Sequence, residues 1–201
     1  MKPCHLLPCL NPSFSHRWFF GRHPSVRVRS FSAIKPQMTS EYYTFGPYKI
    51  SSKEVFYTTP LSFAFVNLRP VLPGHVLVCP RREVKRFVDL TAEETNDLWL
   101  AAKKIGGQLE IFHKASSLTF TIQDGPDAGQ TVPHVHVHIL PRKAKDFKNN
   151  DEIYDAIDEK GKELKQKLNL DQERKDRSLD EMTQEADDYR KLFSIPDSLF
   201  L

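Results

Sequence analysis

The stretch His134-Val135-His136-Val137-His138-Ile139-Leu140-Pro141 decides the fold of this 201-residue chain. Strand side chains alternate between two faces, so this spacing puts His134, His136 and His138 on one surface and Val135, Val137 and Ile139 on the other. The apolar face asks for a hydrophobic layer against it. The pattern predicts a strand over Val132 to Leu140, ended by Pro141.

Just upstream, Ser117 to Gln123 alternates in the same way, with Leu118, Phe120 and Ile122 to one side and Thr119 and Thr121 to the other. Asp124-Gly125-Pro126-Asp127-Ala128-Gly129-Gln130 is a loop by composition. Before it, Thr91 as N-cap and Glu94 three residues on form a capping-box signature. Leu98, Ala102, Ile105, Leu109 and Phe112 then recur at helical spacing and predict one amphipathic helix of about six turns. Gly106-Gly107 weakens that helix locally, and close backbone packing is the expected compensation.

Tyr42 to Pro80 reads as an antiparallel meander, with strands at Tyr43 to Phe45, Glu54 to Thr58, Leu61 to Leu68 and His75 to Cys79. The Pro-Gly connection Arg69-Pro70-Val71-Leu72-Pro73-Gly74 separates the last two. Beyond Lys143 the chain is highly charged, with one helix carrying Ile153, Ile157, Leu164 and Leu168 and another opening at Ser178 with Glu181 three residues on. Asp171 to Asp176 between them reads as an exposed loop. The expected class is α+β, an antiparallel sheet with a long packed helix. The expected organisation is a leader at 1–40, a catalytic domain at 41–155 and a charged, partly helical extension at 156–201.

The net charge of +3 is unevenly spread. Lys2, Arg17, Arg22, Arg27, Arg29 and Lys35 stand without any Asp or Glu in the first 40 residues, a local +6 that leaves −3 for the remainder. The basic balance therefore describes the leader and gives no case for nucleic-acid binding by the folded part. An Arg- and Ser-rich, acid-free leader without a sustained apolar stretch suits a mitochondrial or plastid transit peptide better than a secretory signal. An untargeted extension is the alternative, and a start at Met38 would give a cytoplasmic chain without the leader. No apolar run approaches the ~20 residues that a membrane-spanning helix needs, so no membrane partner is expected. Only Cys79 lies outside the leader among three cysteines, which excludes an intramolecular disulfide framework in the domain.

Three chemistries compete for the histidines. A merely solvated face has no need of imidazole in strict alternation. Zinc suits imidazole, but the outer pair are anchored ~13 Å apart at ~3.3 Å per residue, so a third ligand such as His75 would be needed. Phosphate chemistry uses what imidazole offers near neutrality: a neutral ring attacks phosphorus and a protonated one donates to a developing oxyanion or leaving oxygen. The loop Gly125 to Thr131 adds backbone N–H groups and the Gln130 amide, which suit phosphate oxygens.

The run from Gln123-Asp124-Gly125-Pro126 through Ala128-Gly129-Gln130-Thr131-Val132 to His134-Val135-His136-Val137-His138-Ile139-Leu140-Pro141-Arg142-Lys143 resembles the histidine-triad superfamily of nucleotidyl hydrolases and transferases. Within it, the flanking stretches resemble the fragile histidine triad branch. The resemblance extends from about Phe45 through Tyr154, including Leu61-Ser62-Phe63-Ala64, Val66-Asn67 and Val71 to Pro80. It thins in the charged tail and is absent from the leader. After Phe45-Gly46 the chain has Pro47-Tyr48 where the family often has Gln-His, which removes any case for a nucleotide contact at Tyr48.

The resemblance implies hydrolysis of dinucleoside polyphosphates, with diadenosine triphosphate giving AMP and ADP, and related action on adenylyl sulfate. His136 would be the nucleophile, His138 would contact and protonate phosphate, and His134 would orient the His136 ring through its main-chain carbonyl. His75 would support the histidine strand and Gln123 would contact the phosphate. Gly129, Gln130, Thr131 and Val132 would hold the phosphate chain, and Asn67 would bind ribose. Turn capping for Asn67 and a satisfied core position for His75 are the alternatives. The resemblance also implies a homodimer joined through the helix and the edge strand into one continuous sheet. No cofactor is required and no metal site is expected; magnesium or manganese can ride on the phosphates as a counterion. A nucleotide-binding signalling protein with slow turnover and a nucleotidyl transferase are the functional alternatives.

Overall fold

Residues 41–158 and 176–194 are described in the structure, a computed structural model. The leader, Leu164, Leu168 and residues 171–175 of the expected tail loop lie outside the described residues. The chain enters through a hairpin of β1 (Tyr42–Phe45) and β2 (Tyr48–Ser51), which turns at Gly46 with φ +55°. Sequence patterning finds β1 and misses β2. Half of β2 is exposed, and its extended form comes from pairing with β1.

The main sheet starts with β3 (Val55–Thr58), β4 (Ser62–Val66) and β5 (Val76–Pro80), the expected meander with slightly different bounds. After α1 (Ala92–Phe112), β6 (Ser117–Thr121) and β7 (Val137–Arg142) complete it in the antiparallel order β3-β4-β5-β7-β6. The histidine strand begins and ends later than its sequence predicts. Its last register pair with β5 in the direction of His134 is Val78–Val137. Continuing that register would set Pro80 opposite Val135, and Pro80 has no N–H to give. The Val135 N–H instead donates to the Val84 carbonyl at 2.7 Å. At the other end Pro141 does not stop the strand. The Arg142 carbonyl accepts from the Ser116 N–H at 3.0 Å, so Pro141's own backbone turns away from β6, past the last β5 pair at Val76–Ile139.

The alternation itself survives these shifts. Val135, Val137 and Ile139 join Ala64, Val66, Val76 and Val78 in the principal core, against Leu98, Ala101, Ala102, Ile105 and Leu109 of α1. On the opposite face Phe63, Phe65, Leu77 and Cys79 pack under Phe45, Tyr43 and Ile50 of the hairpin. The histidines therefore sit on a sheet face roofed by aromatic and aliphatic side chains.

Helix α1 starts at the predicted box: Thr91 Oγ1 accepts from the Glu94 N–H and the Glu94 carboxylate accepts from the Thr91 N–H. Phe112, expected on the buried face, is 44% exposed because the helix ends there. The two glycines differ. A Cβ on Gly106 would lie 2.7 Å from Phe120 Cζ, so close packing explains it, whereas Gly107 faces open space.

Helix α2 (Glu152–Ile157) buries Ile153 and Ile157 with Leu140 in a third, smaller cluster. Helix α3 (Leu179–Phe193) opens with the Ser178–Glu181 capping box. Its Met182, Ala186 and Tyr189 lie in the principal core, so this part of the 156–201 extension is built into the body of the domain. Among the described residues no helix is long and apolar enough to cross a membrane.

Candidate active site

The three histidines have fixed and different hydrogen-bond roles. His134 Nε2 lies 2.9 Å from the Pro80 carbonyl, and His134 Nδ1 accepts from the Gly46 N–H at 3.2 Å. This pins the proton on Nε2 and ties the hairpin to the site. His136 Nδ1 lies 2.7 Å from the His134 carbonyl, so Nδ1–H donates and Nε2 keeps its lone pair. A ring held this way is a nucleophile with one defined attacking atom.

His138 is set through His75. The Val71 N–H donates to His75 Nδ1 at 3.2 Å, which makes His75 Nε2 the proton-bearing nitrogen. That Nε2 lies 2.9 Å from His138 Nδ1 and donates to it. The His138 proton is thereby placed on Nε2, a buried atom with no hydrogen-bond partner among the described residues. The His136 and His138 rings meet edge to face with centroids 4.8 Å apart, and Phe45 packs against His136 at 5.1 Å. One lone pair and one N–H donor thus stand on adjoining buried rings.

Burial dominates their protonation. It pulls the His136 pKa down to about 4, with the His134 carbonyl bond opposing and the His134 ring adding to the effect. His138 is pushed well below its ordinary value, first by burial and then by His136 and His75. His134 is also lowered by burial. All three rings are therefore neutral in the resting site. Desolvation penalises any imidazolium there, so burial works against the protonated partner that phosphate chemistry can use. His138 can still donate as a neutral ring.

The loop before the histidines splits its expected roles. Gly129 sits at φ +86°, and a Cβ there would come within 2.5 Å of Gln123 Nε2, so the missing side chain lets the Gln123 amide press against the loop. The Gln130 amide is occupied by the protein itself. Its Oε1 accepts from the Gly125 N–H at 3.1 Å, and its Nε2 donates to the Lys85 carbonyl at 3.0 Å and toward the His134 carbonyl at 3.4 Å. Gln130 therefore braces the carbonyl that orients His136. Thr131 is exposed beside the site, and half-buried Val132 packs on the hairpin cluster.

Asn67 is likewise engaged. Its Oδ1 accepts from the Arg69 N–H at 3.0 Å, the turn-capping role, and its Nδ2 lies 3.3 Å from both ring nitrogens of His75. Asn67 thus caps the turn and stands against the His75 ring. His75, the ligand that a zinc site would recruit, spends its Nε2 on His138. Among the described residues no group of three or more His, Cys, Asp or Glu is arranged to hold a metal ion.

Several contributors carry no sequence signal of their own: the Pro80 carbonyl, the Gly46 N–H and the roof formed by Phe45. Asp124 also escapes the motif reading. It accepts from the Phe87 N–H at 2.8 Å and pairs with Arg86, anchoring the loop that follows Gln123.

The HIT domain family profile matches residues 49–145. A protein of Arabidopsis thaliana named bifunctional bis(5'-adenosyl)-triphosphatase/adenylylsulfatase is 70% identical over 159 residues, 79% of this chain and 88% of that protein. The chain belongs to the HIT domain family. A Dictyostelium discoideum HIT relative named bis(5'-adenosyl)-triphosphatase is 52% identical over 156 residues, 78% of this chain and 95% of its own. Among solved structures, the Plasmodium falciparum diadenosine triphosphate hydrolase in complex with cyclomarin A superposes with a TM-score of 0.60. It is 34% identical and covers 76% of this chain and 84% of its own. The antiparallel sheet with its long packed helix is the HIT fold.

Proposed function

We propose that this protein hydrolyses dinucleoside polyphosphates, splitting diadenosine triphosphate into AMP and ADP through a nucleotidyl-His136 intermediate. The observation that carries this reading is the tautomer of His136: Nδ1–H is bound to the His134 carbonyl at 2.7 Å, leaving a neutral Nε2 lone pair beside the His138 Nε2–H. Relatives named for the same hydrolysis support it.

In the first step His136 Nε2 attacks the α-phosphorus, a P–N bond forms, and the P–O bond to the departing ADP breaks. The His138 Nε2–H stabilises the phosphoryl oxygens as charge gathers on them. Water then attacks the same phosphorus and releases a proton to solvent, the P–N bond breaks with its electrons returning to Nε2, and AMP leaves. Attack at the α-phosphorus constrains the leaving group loosely, so adenylyl sulfate is a second substrate, in keeping with the name of the Arabidopsis relative. The donor set is imidazole, amide and backbone without clustered carboxylates. A magnesium or manganese ion accordingly enters with the phosphate chain as part of the substrate, and no resident cofactor is needed.

Two chains pair through α1 and the edge strand β6. Exposed Trp99, Leu100 and Ile111 on α1 and the unpaired side of β6 support this homodimer. The acid-free leader serves as a mitochondrial or plastid address, and synthesis from Met38 leaves the protein in the cytoplasm.

Turnover of diadenosine triphosphate in ¹⁸O-water tests the chemistry. The label is expected in AMP, with ADP unlabelled. Label in ADP would place attack on the β-phosphorus and overturn the proposed route.

A further inference from the structure

We infer that Arg177 is a positioning residue for this reaction, holding the Asn67–His75 pair that aims His138. The inference rests on the hydrolase reading above. Arg177 lies just before α3, 110 residues from Asn67. Its Nε and Nη2 donate to the Asn67 carbonyl at 3.1 and 2.5 Å, and its N–H donates to the Leu68 carbonyl at 3.2 Å. Its Nη1 donates to Glu185 of α3 at 2.5 Å. The adjacent Asp176 pairs with Arg69. Residues 67, 68 and 69 are thus all held from the segment that leads into α3.

That grip passes to the chemistry by short links. Asn67 Nδ2 stands 3.3 Å from His75 Nδ1, the ring nitrogen left as acceptor, His75 Nε2 donates to His138 Nδ1 at 2.9 Å, and His138 presents Nε2–H to the site. The far end of the same β4–β5 connection is held too. Glu185 also accepts from the Tyr189 hydroxyl at 2.8 Å, and that hydroxyl lies 2.7 Å from His113 Nε2. The His113 ring presses on Gly74, the neighbour of His75, where a Cβ would come within 2.6 Å of it. Helix α3 therefore clamps both ends of the connection that carries His75, and Arg177 is the arm that reaches Asn67. Releasing that arm lets the His75 ring turn, and His138 then loses the donor that keeps its own proton on Nε2.

The test compares Arg177→Ala, Arg177→Lys and Arg190→Ala in the full chain. Arg190 bonds the Ser52, Lys53 and Val55 carbonyls and so docks α3 on β3 without touching Asn67. Arg177→Ala should lower kcat on diadenosine triphosphate about tenfold with KM changed less than about twofold, as loss of an aligned hydrogen-bond donor to the developing charge predicts. Arg177→Lys should recover part of that loss. Arg190→Ala should lower the unfolding midpoint and leave kcat near wild type. In a His75→Ala background, Arg177→Ala should cost less than about twofold, because two residues acting through one path are not additive. Nitrogen NMR of the imidazoles should show the His138 proton on Nε2 in wild type and shared between both nitrogens in Arg177→Ala.

Equal kcat losses for Arg177→Ala and Arg190→Ala at matched stability, multiplicative losses with His75→Ala, or an unchanged His138 tautomer would each overturn the inference. A wild-type protein that leaves diadenosine triphosphate intact would instead sink the hydrolase reading. The tautomer measurement would then decide the role of Arg177 by itself.

Discussion

Acidification should leave the attacking power of His136 almost untouched down to about pH 5. Burial depresses its pKa to about 4. A group with that value is only ~3% protonated at pH 5.5, whereas an ordinary histidine near ~6.5 would be ~90% protonated there, a roughly tenfold loss of the neutral nucleophile. The internal phosphates of a dinucleoside triphosphate keep constant charge over this range, and His138 is pushed down as well. The profile of kcat/KM, which reports the free enzyme, should therefore be flat from pH 8 to about 5.

The same shift carries a stability cost in acid. The folded pKa lies below the unfolded one, so between about pH 6.5 and 4 the unfolded chain binds more protons, and stability falls as pH falls through that window. From the ~2.5-unit shift, His136 alone accounts for up to about 3 kcal/mol, fully present above about pH 6.5. Initial rates on diadenosine triphosphate, with urea midpoints for wild type and His136→Asn at pH 7 and 5, measure both. The wild type should lose more stability than His136→Asn between those two pH values. A kcat/KM profile breaking near pH 6.5, with equal acid sensitivity in the two proteins, would refute the claim that the site holds His136 neutral by desolvation.

The two adjacent helix glycines should respond with opposite signs. Gly107→Ala faces open space and should stabilise by up to about 1 kcal/mol, while Gly106→Ala drives a methyl into Phe120 and should destabilise by about 1–3 kcal/mol in urea unfolding. Tyr189 anchors α3 in the core and should be expensive to truncate. Tyr189→Ala should cost about 3–5 kcal/mol, whereas Tyr189→Phe, which keeps the packing and removes only the hydroxyl shared with His113 and Glu185, should cost about 1–2.

The face assignment of His134, His136 and His138 is legible in the sequence because alternation is a local property of an extended chain. Where the hydrogen-bonded strand begins is not, because that depends on Pro80, a residue distant in sequence that cannot donate to Val135. The Thr91–Glu94 and Ser178–Glu181 boxes are equally local and read correctly. The burial of α3 is hidden by its charged composition: Met182, Ala186 and Tyr189 make a narrow apolar stripe among acids and bases. For the site, residue types identify the histidines, but backbone groups assign their tautomers, and the sequence says nothing of which carbonyl faces which ring. Gln130 and Asn67 are suited to ligands by type. Their amides also reach Gly125, Lys85, Arg69 and His75, partners visible only once the loops are folded.

The central claim is that His136 Nε2 becomes covalently bonded to the α-phosphorus, and trapping that bond tests it most directly. Protein mixed with diadenosine triphosphate and quenched in alkali, which spares a phosphoramidate, should gain the mass of one adenylyl group. Peptide fragmentation should place it on His136, and His136→Ala should show no adduct. Rapid release of AMP and ADP with no trace of adduct at any quench time, or an adduct that persists in His136→Ala, would contradict the account.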